Sequence, residues 1–501
     1  MDFVSNLWLG FSVAALPINL LFCFIGALLG TLIGVLPGIG PLATVSMLLP
    51  ITFYLDPVTA LVMLAGIYYG ASYGGSTTAI LVNLPGESSA VVTCLDGYQM
   101  ARQGRAGSAL AIAALGSLFA GCVATLVIAL FSAPLGSIAL NFQPADYCSL
   151  MIFGLVASII IARGSTVKAI AMVLVGLLLG VIGTDLNSGQ MRYTMGLADL
   201  IDGLGFVGVA MGLFGIAEIA RNLEHPEAKR SVMARIERLW PTALDFKRSW
   251  KSVLRGTAVG SALGVLPGGG AVLSAFAAYT LEKKVSADPD RFGKGAIEGV
   301  AAPESANNAG AQTSFIPLLA LGIPSNSVTA LMAGAMMIHG IAPGPQVMTR
   351  QPDLYWGLIA SMLIGNLMLV IINLPLIRLW VQLLKVPYRL LYVGILCFCL
   401  IGAYGVNQSV FDLYVLCLFA FLGFILHKLD CEPAPLLLGL ILGPLLEENL
   451  RRALLLSHGN WSVFATHPVS LFFLLLSAVM LLLIFLPNVS KNRKEAFQEA
   501  D

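Results

Sequence analysis

Long apolar segments recur along almost the whole chain of 501 residues, and they constrain the fold more than any other feature. A helix that crosses about 30 Å of hydrocarbon needs about 20 mostly apolar residues. Charged residues are 11% of the chain, against about 25% in a typical soluble protein. Candidate membrane segments are 16–36 continuing into 41–54, 58–84, 108–132, 146–162, 168–184, 204–221, 252–281, 298–342 (interrupted), 354–377, 388–406, 410–427, 433–446 and 468–487. The sequence therefore predicts an all-α polytopic membrane protein.

Several functional classes are disfavoured by what the chain lacks. A net charge of +1 leaves no basic surface for nucleic acid. No phosphate-binding G-x-x-x-x-G-K-[ST] motif occurs, so we expect no ATP site in this chain. The eight cysteines form no C-x-x-C pair and lie mostly in apolar runs, where free cysteine behaves as a small hydrophobic residue. We therefore expect no cofactor.

The positions of the basic residues predict the orientation of the chain in the membrane. Lys and Arg mark cytoplasmic connections, and they are concentrated in 85–107, 163–168, 221–255 and the tail 488–501. The first basic residue is Arg102, so the N-terminus is expected outside the cytoplasm and lacks the positive start of a signal peptide. Arg192 and the pair at 451–452 lie on segments assigned to the outside and do not fit this scheme.

A repeat at an offset of 230 residues divides the chain into two halves. Gly-Val-Leu-Pro-Gly occurs at 34–38 and again, letter for letter, at 264–268. The shared positions are Gly26, Gly30, Gly34, Pro37, Gly38 and Gly40 in the first copy and Gly256, Gly260, Gly264, Pro267, Gly268 and Gly270 in the second. Glycine at every fourth position is also explained by close helix packing alone. The repeated Pro-Gly-x-Gly instead predicts a bend, and hence a helical hairpin in each half.

The two hairpins are expected to enter the membrane from opposite sides, because a basic connection precedes only the second. We predict a first inverted repeat at 1–220 with its hairpin at about 16–54, and a cytoplasmic connection at 221–255. A second repeat at 256–487 has its hairpin at about 252–281, and a cytoplasmic tail covers 488–501. About 11 spanning helices and two inverted, re-entrant hairpins result. Inverted repeats with broken helices are typical of secondary transporters.

A second pair of polar breaks is predicted after the hairpins. One comprises 69–78 followed by 83–89, and the other comprises 304–310 followed by 321–327. Irregular backbone at membrane depth exposes amides that attract carboxylates and carbonyls that suit a cation. The alternative is a helix in which Ser and Thr bond to carbonyls of the preceding turn.

These motifs resemble those of the large membrane subunit of the tripartite tricarboxylate transporters, the TctA family. The resemblance rests on both hairpins, on Tyr-Gly-Gly-Ser-Thr-Thr-Ala-Ile-Leu at 73–81 with Asn-Leu-Pro-Gly-Glu at 83–87, and on Ala-Pro-Glu-Ser-Ala-Asn-Asn-Ala at 302–309. It implies a permease in the bacterial inner membrane with two partners, a small four-helix membrane subunit and a periplasmic substrate-binding protein. It also implies carboxylate uptake driven by an Na⁺ or H⁺ gradient.

The candidate site combines the polar segments of both halves. Substrate-binding candidates are Pro37, Gly38, Gly40, Ser72, Gly74, Gly75, Ser76, Thr77, Thr78, Pro267, Gly268, Gly270, Asn307, Asn308, Pro324 and Ser325. Candidate cation ligands are Glu304, Asn307, Asn308, Asn83 and Asn326. Glu304 is an intramembrane acid, which favours a functional role, although it could also pair with a cytoplasmic cation such as Lys294. Glu87 and Asp96 are expected to be solvated at the cytoplasmic surface.

The preferred function is cation-coupled import of a di- or tricarboxylate such as citrate, without enzymatic activity. The main alternative is a non-transporting channel or assembly scaffold. A more distant alternative is an intramembrane hydrolase, since Gly70-Ala-Ser-Tyr-Gly74 matches the nucleophile elbow. That elbow requires a strand, a tight turn and a helix around the serine.

Overall fold

The structure is a computed structural model that describes residues 3–36, 40–162, 165–185, 188–224, 239–266, 270–383 and 388–485. Helices in the first half are α1 (Phe3–Ala14), α2 (Pro17–Gly34), α3 (Pro41–Thr52), α4 (Pro57–Val82), α5 (Val91–Arg102), α6 (Ala106–Ala139), α7 (Pro144–Ile161), α8 (Thr166–Gly180), α9 (Phe206–Ala210) and α10 (Ala217–Glu224). A π-helix, Met211–Ile216, joins α9 to α10.

The described residues of the second half form helices joined by loops. Its helices are α11 (Ala243–Gly264), α12 (Gly270–Val285), α13 (Glu298–Thr313), α14 (Phe315–Leu321), α15 (Ser327–Ile338), α16 (Gln346–Arg350), α17 (Pro352–Asn373), α18 (Ile377–Leu383), α19 (Tyr388–Asn407), α20 (Val410–Lys428), α21 (Ala434–Leu456), α22 (Val463–Thr466) and α23 (Pro468–Phe485). Single 3₁₀ turns lie at Ser88–Ala90, Ala198–Leu200 and Pro289–Arg291. The described strands, β1 (Gly183–Thr184) and β2 (Met191–Arg192), form one small antiparallel pair in which Gly183 faces Arg192.

Proline marks where several of these helices begin. Pro17, Pro41, Pro57 and Pro352 occupy the first turns of α2, α3, α4 and α17. Proline has no N–H to donate and a fixed φ near −65°, and both properties suit a helix start. The sequence thus sets these helix boundaries locally.

Four described helices are long and apolar enough to cross a membrane. They are Pro17–Gly34, Ala106–Ala139, Pro352–Asn373 and Val410–Lys428. Further apolar helices of 10–17 residues, among them Pro41–Thr52 and Thr166–Gly180, lie between them. The chain is therefore an all-α polytopic membrane protein, as the sequence predicted. The total of about 11 spans stays a prediction.

Several helices lie outside the membrane segments expected from the sequence, among them α1, α5, α16 and α22. Helix α1 precedes the first candidate segment, and its Gly10 packs so tightly on α17 that a Cβ there would lie 2.4 Å from the Trp356 carbonyl oxygen. Helix α5 lies within the connection 85–107. The connection 221–255 is also partly helical, since α10 ends at Glu224 and α11 begins at Ala243.

Arg192 and Arg451, the cations that did not fit the predicted topology, lie in one ion-pair cluster. Arg192 of β2 contacts Glu447 at 2.7 Å, and Arg451 contacts the same carboxylate at 2.6 Å. Arg451 also contacts Asp185 at 2.9 Å. The cluster ties the strand pair to α21, which gives these cations a structural role.

Repeated glycines bring α2 against α4 and α11 against α13. A Cβ on any of these glycines would lie 2.3–2.4 Å from a backbone oxygen of the facing helix. The facing pairs are Gly26 with Met63, Gly30 with Ile67 and Gly34 with Ala71, then Gly256 with Ala302, Gly260 with Ala306 and Gly264 with Gly310. This confirms that glycine at every fourth position serves close packing.

Each packed pair runs parallel, because the facing residues increase together along both helices. The chain must therefore turn back between the two helices of a pair. In the first half α3 makes this return, and in the second half α12 does so. This reversal is what the predicted hairpins require. The division of the whole chain into two repeats at the proposed boundaries stays a prediction.

Candidate functional site

Glu304 lies at the centre of the polar residues that the two halves bring together. It is 1% exposed on α13, and each of its carboxylate oxygens accepts a hydrogen bond from a hydroxyl. Ser76 of α4 donates to Oε2 at 2.5 Å, and Thr93 of α5 donates to Oε1. Among the described residues, Glu304 has no ion pair, with Lys294 or any other cation. No cation of the described chain therefore neutralises this carboxylate.

Glu87 lies nearby, in the loop between α4 and α5, and it is partly buried. Its carboxylate accepts hydrogen bonds from the hydroxyl of Ser89, from Asn307 Nδ2 at 2.9 Å and from Ser72 Oγ at 3.4 Å. The expectation that Glu87 is a solvated loop carboxylate is wrong, because these donors hold it against α4 and α13. Ser72 and Ser76 lie one turn apart on α4, so one helix face contacts both glutamates.

The predicted break at 69–78 is wrong, since α4 is continuous from Pro57 to Val82. Two of its hydroxyls donate to carbonyls of the preceding turn, Thr77 to Tyr73 at 3.4 Å and Thr78 to Gly75 at 3.0 Å. This back-bonding satisfies the hydroxyls without unwinding the helix. The break predicted at 304–310 is absent too, because α13 continues to Thr313. Ser72 therefore lies inside a helix, and the setting of a nucleophile elbow is missing around it.

The later parts of the two predicted breaks are present. Asn83 ends α4 with φ of 55°, and Gly322 ends α14 with φ of 76°. Both are left-handed helix caps, and a proline follows each after one residue. Asn-Leu-Pro-Gly-Glu at 83–87 thus corresponds to Gly-Ile-Pro-Ser-Asn at 322–326, at an offset of 239 residues. The same offset relates Met63, Ile67 and Ala71 to Ala302, Ala306 and Gly310.

Two hydrogen bonds between the halves are related by this offset. Asn307 donates to Glu87 at 2.9 Å, and Asn326 donates to the hydroxyl of Tyr68 at 3.4 Å. Tyr68 corresponds to Asn307, and Glu87 corresponds to Asn326. Exchanging the halves therefore turns one hydrogen bond into the other, which indicates a local two-fold axis between them.

Corresponding helices cross in opposite directions at this axis. The ring of Tyr69 lies 6.1 Å from that of Phe315, while Ser76 contacts Glu304. A higher residue number on α4 thus meets a lower one on α13 and α14, so the helices are antiparallel. At the crossing point the two halves are inverted relative to each other.

Several further candidates line this crossing or serve its packing. Thr77 and Thr78 are buried on α4, and Ser325 donates to the Ser314 carbonyl at 3.0 Å. Gly74 packs on α2, where a Cβ would lie 2.5 Å from the Thr31 carbonyl oxygen, and Gly75 packs on the loop that holds Glu87. Pro324 is buried beside Ser325.

Of the remaining candidates, Asn308 lies within α13, and the others lie at element ends or outside the described residues. Asn308 donates to Ser117 Oγ at 2.7 Å, and Asn326 caps α15 through Thr329. Asn83 has an exposed side chain. Gly40 directly precedes α3, and Gly270 begins α12 close to Asn326. Pro37, Gly38, Pro267 and Gly268 lie outside the described residues. The assignment of all these residues to substrate or cation stays a prediction.

The polar face of α13 extends further than the sequence interpretation, which placed Glu304 and Asn308 on one face. Gln312 follows Asn308 at the same interval of four, and both side chains contact α6. Thr125 of α6 donates to Gln312 at 2.6 Å, and Gln312 donates to Asn366 of α17 at 2.9 Å. The interval of four was the available signal, since it places residues on one helix face.

Asp96 was expected to be solvated, and this expectation is wrong because the side chain is 0% exposed. Its Oδ1 accepts backbone N–H groups from Gly293, Gly295 and Ala296 at 2.8–2.9 Å. Its Oδ2 accepts the hydroxyl of Tyr279 at 3.0 Å. A residue of α5 thus anchors the loop that leads into α13.

In the described part of the chain, no three His, Cys, Asp or Glu side chains are grouped as metal ligands. Around Glu304 the polar atoms are hydroxyl, amide and carboxylate oxygens, together with amide nitrogens. Oxygen ligands suit hard cations and disfavour the soft transition metals. The arrangement can hold a proton or a small hard cation between the halves.

Comparison with known proteins agrees with this arrangement. The family model described as "Tripartite tricarboxylate transporter TctA family" matches residues 20–438. An uncharacterized 52.8 kDa protein in the TAR-I ttuC' 3'region of Agrobacterium vitis is 56% identical over 501 residues, covering 100% of both chains. An uncharacterized protein in the TAR-II ttuC' 3'region of the same organism is 57% identical over 242 residues, 48% of this chain and 100% of that protein.

A more distant relative is an uncharacterized protein of Methanocaldococcus jannaschii. It is 27% identical over 220 residues, which cover 43% of this chain and 52% of that protein. No solved structure matches the chain. The family match spans both polar loops, Glu304 and both glycine-packed helix pairs. The chain belongs to the TctA family of the tripartite tricarboxylate transporters.

Proposed function

We propose that the chain is the permease subunit of a secondary transporter that imports di- or tricarboxylates, such as citrate, together with Na⁺ or H⁺. A periplasmic binding protein delivers the acid, and a small four-helix membrane subunit completes the complex without an ATPase. The complex lies in the bacterial inner membrane, with the N-terminus of this chain periplasmic and its C-terminus cytoplasmic. The family match supports the carboxylate substrate and the partners.

The hydrogen bonding of Glu304 supports the coupling to a cation. A charge in the apolar interior is costly unless it is neutralised, and intramembrane acids mark ion pathways by default. The side-chain donors to Glu304 are the neutral hydroxyls of Ser76 and Thr93. A bound cation or proton is then required whenever Glu304 is enclosed. Binding of the cation lowers the cost of bringing a carboxylate substrate to the same crossing.

The mechanism follows from the position of Glu304 between the halves. The hydroxyls that donate to Glu304 belong to α4 and α5 of the first half, while Glu304 itself belongs to the second half. Relative movement of the halves changes these contacts, so occupancy by the cation affects which arrangement is stable. Cation and carboxylate bind together, and alternating access then carries both across the membrane. A binding site between inverted halves is typical of such transporters.

Uptake into proteoliposomes tests this proposal. A panel of di- and tricarboxylates is first screened on the partner binding protein by thermal shift, and the best ligand is used for transport. We expect accumulation above the external concentration only with an inward Na⁺ or H⁺ gradient. Equal accumulation with neither gradient contradicts the coupling.

The variant Glu304→Gln removes the charge and keeps the shape of the side chain. We expect it to abolish gradient-driven accumulation, because the cation no longer has a carboxylate to neutralise. Glu298→Gln is the matched control, since Glu298 begins the same helix and pairs with Arg291 at 3.5 Å. Normal accumulation by Glu304→Gln would remove this residue from the coupling mechanism.

A further inference from the structure

A small cavity adjoins Glu304 between α4, α6, α13, α17 and α18, and its volume is about 20 Å³. By the same measure a cavity needs about 10–15 Å³ to hold one water molecule. The space therefore fits a single water or a single cation without its hydration shell. Its polar lining consists of Tyr73, Ser76 and Thr77 of α4, Ser117 of α6, Glu304 of α13 and Asn373 of α17.

Two of these side chains have a buried polar atom without a partner among the described residues. Tyr73 is 4% exposed and its hydroxyl is unpaired, and Asn373 is 5% exposed with Oδ1 unpaired. The amide nitrogen of Asn373 is fixed by a 2.8 Å bond to the Leu369 carbonyl. The atom of this amide without a partner is therefore its oxygen, which is an acceptor. Buried polar atoms normally have partners, so these two indicate a missing occupant.

The lining offers oxygen ligands with one negative charge. Glu304 supplies a carboxylate, Asn373 a carbonyl oxygen, and the remaining polar residues supply hydroxyls. No lysine or arginine is among the lining residues. Such a set suits a hard monovalent cation, which neutralises the carboxylate. We propose that this cavity is a Na⁺ site formed by Glu304, Asn373 and Tyr73, with hydroxyl ligands from α4 and α6.

Na⁺ accounts for more of these observations than a proton or a water molecule does. A proton on Glu304 neutralises the charge but leaves Asn373 Oδ1 and the Tyr73 hydroxyl without partners. A water molecule pairs with those atoms but leaves the carboxylate charged in the apolar interior. Na⁺ does both. The site deepens the proposed function by assigning the coupling ion, and its role in transport rests on that function, but Na⁺ binding can be measured without transport.

The test is the melting temperature of the purified chain in detergent as Na⁺ replaces choline at constant ionic strength. A ligand that binds the folded state raises the melting temperature as its concentration increases. We expect a rise with Na⁺ and a half-maximal concentration that is about tenfold or more higher in Asn373→Leu and Tyr73→Phe, each of which loses one ligand. Tyr355→Phe is the matched control, because it deletes a buried hydroxyl that bonds to Ser132 outside the cavity.

Each outcome decides the assignment. A melting temperature indifferent to Na⁺ overturns the site and leaves an ordered water only. Unchanged half-maximal concentrations in both Asn373→Leu and Tyr73→Phe place Na⁺ elsewhere. Tyr73→Phe removes a single oxygen and keeps the test valid if Asn373→Leu does not fold. Na⁺ binding without carboxylate uptake contradicts the proposed function and leaves the site standing.

Discussion

At the scale of single residues, Asp245 and Glu304 show two ways to hold a nearly buried carboxylate. Asp245 is 6% exposed and contacts Arg105 at 2.6 Å, while Glu304 is 1% exposed and receives only hydroxyl groups. A cation of the chain stabilises the charged form of Asp245 permanently. The hydroxyl donors to Glu304 carry no charge, so the cation or proton that neutralises its carboxylate can bind and leave. The arrangement at Asp245 suits a structural role, and the arrangement at Glu304 suits coupling to a transported ion.

Asp245 provides a prediction about pH. Burial raises its pKa, but the amide and hydroxyl of Thr242 and the guanidinium of Arg105 lower it more, so the net pKa is below its usual value of about 4. A lowered pKa stabilises the folded state fully above the unfolded pKa and loses this effect as pH falls through the folded pKa. We expect Asp245→Asn to lower the melting temperature at neutral pH and to have progressively less effect below about pH 4.

Melting temperatures of wild type and Asp245→Asn across this pH range measure the effect. Asp290→Asn is the control, since Asp290 is an exposed carboxylate in the loop after α12. A difference between wild type and Asp245→Asn that stays constant down to pH 3, about one unit below the usual pKa, speaks against the assigned role.

At the scale of helices, the close approach of α11 to α13 depends on glycine. A Cβ on Gly260 would lie 2.3 Å from the backbone oxygen of Ala306, and a helix backbone cannot yield as a flexible side chain can. Overpacking costs about 1–3 kcal/mol. We therefore expect Gly260→Ala to lower the melting temperature of the purified protein by several degrees.

The control for Gly260→Ala is the same substitution at Gly394 of α19, where a Cβ would meet nothing within 4 Å. Alanine is favoured over glycine in a helix by about 1 kcal/mol, so Gly394→Ala should leave the melting temperature unchanged or raise it. If Gly260→Ala melts no lower than Gly394→Ala, the close contact does not stabilise the fold.

The sequence predicts these helices and glycine contacts well, because apolar periodicity and the interval of four are local signals. It does not reveal that Glu87 corresponds to Asn326. The hairpins match at an offset of 230, but only the four residues 53–56 separate α3 from α4, whereas the twelve residues 286–297 separate α12 from α13. This longer loop shifts the offset to 239. Asn373 was also missed, because its contact with the cavity is set by the packing of α17.

At the scale of the whole molecule, the contacts between the halves are polar at both Glu304 and Asp96. Glu304 of the second half binds hydroxyls of the first, and Asp96 of the first half binds backbone amides of the second. The Asp96 contacts fix the loop that directly precedes α13. We therefore expect the position of Glu304 to depend on this anchor, which lies about two turns before it.

Replacement of Asp96 tests this dependence. Asp96→Ala leaves the N–H groups of Gly293, Gly295 and Ala296 without their acceptor. The last two are buried, and each buried unpaired group costs about 1–3 kcal/mol. We expect a melting temperature lower by several degrees and loss of gradient-driven uptake. Hydrogen exchange should accelerate at the amides of Gly293, Gly295 and Ala296, which locates the effect. Tyr279→Phe removes only the hydroxyl donor to Asp96 and should cost about 1 kcal/mol, with exchange at those amides little changed. Wild-type exchange at the three amides in Asp96→Ala would show that another group holds the loop, and that the two halves are joined through Glu304 and its neighbours without this anchor.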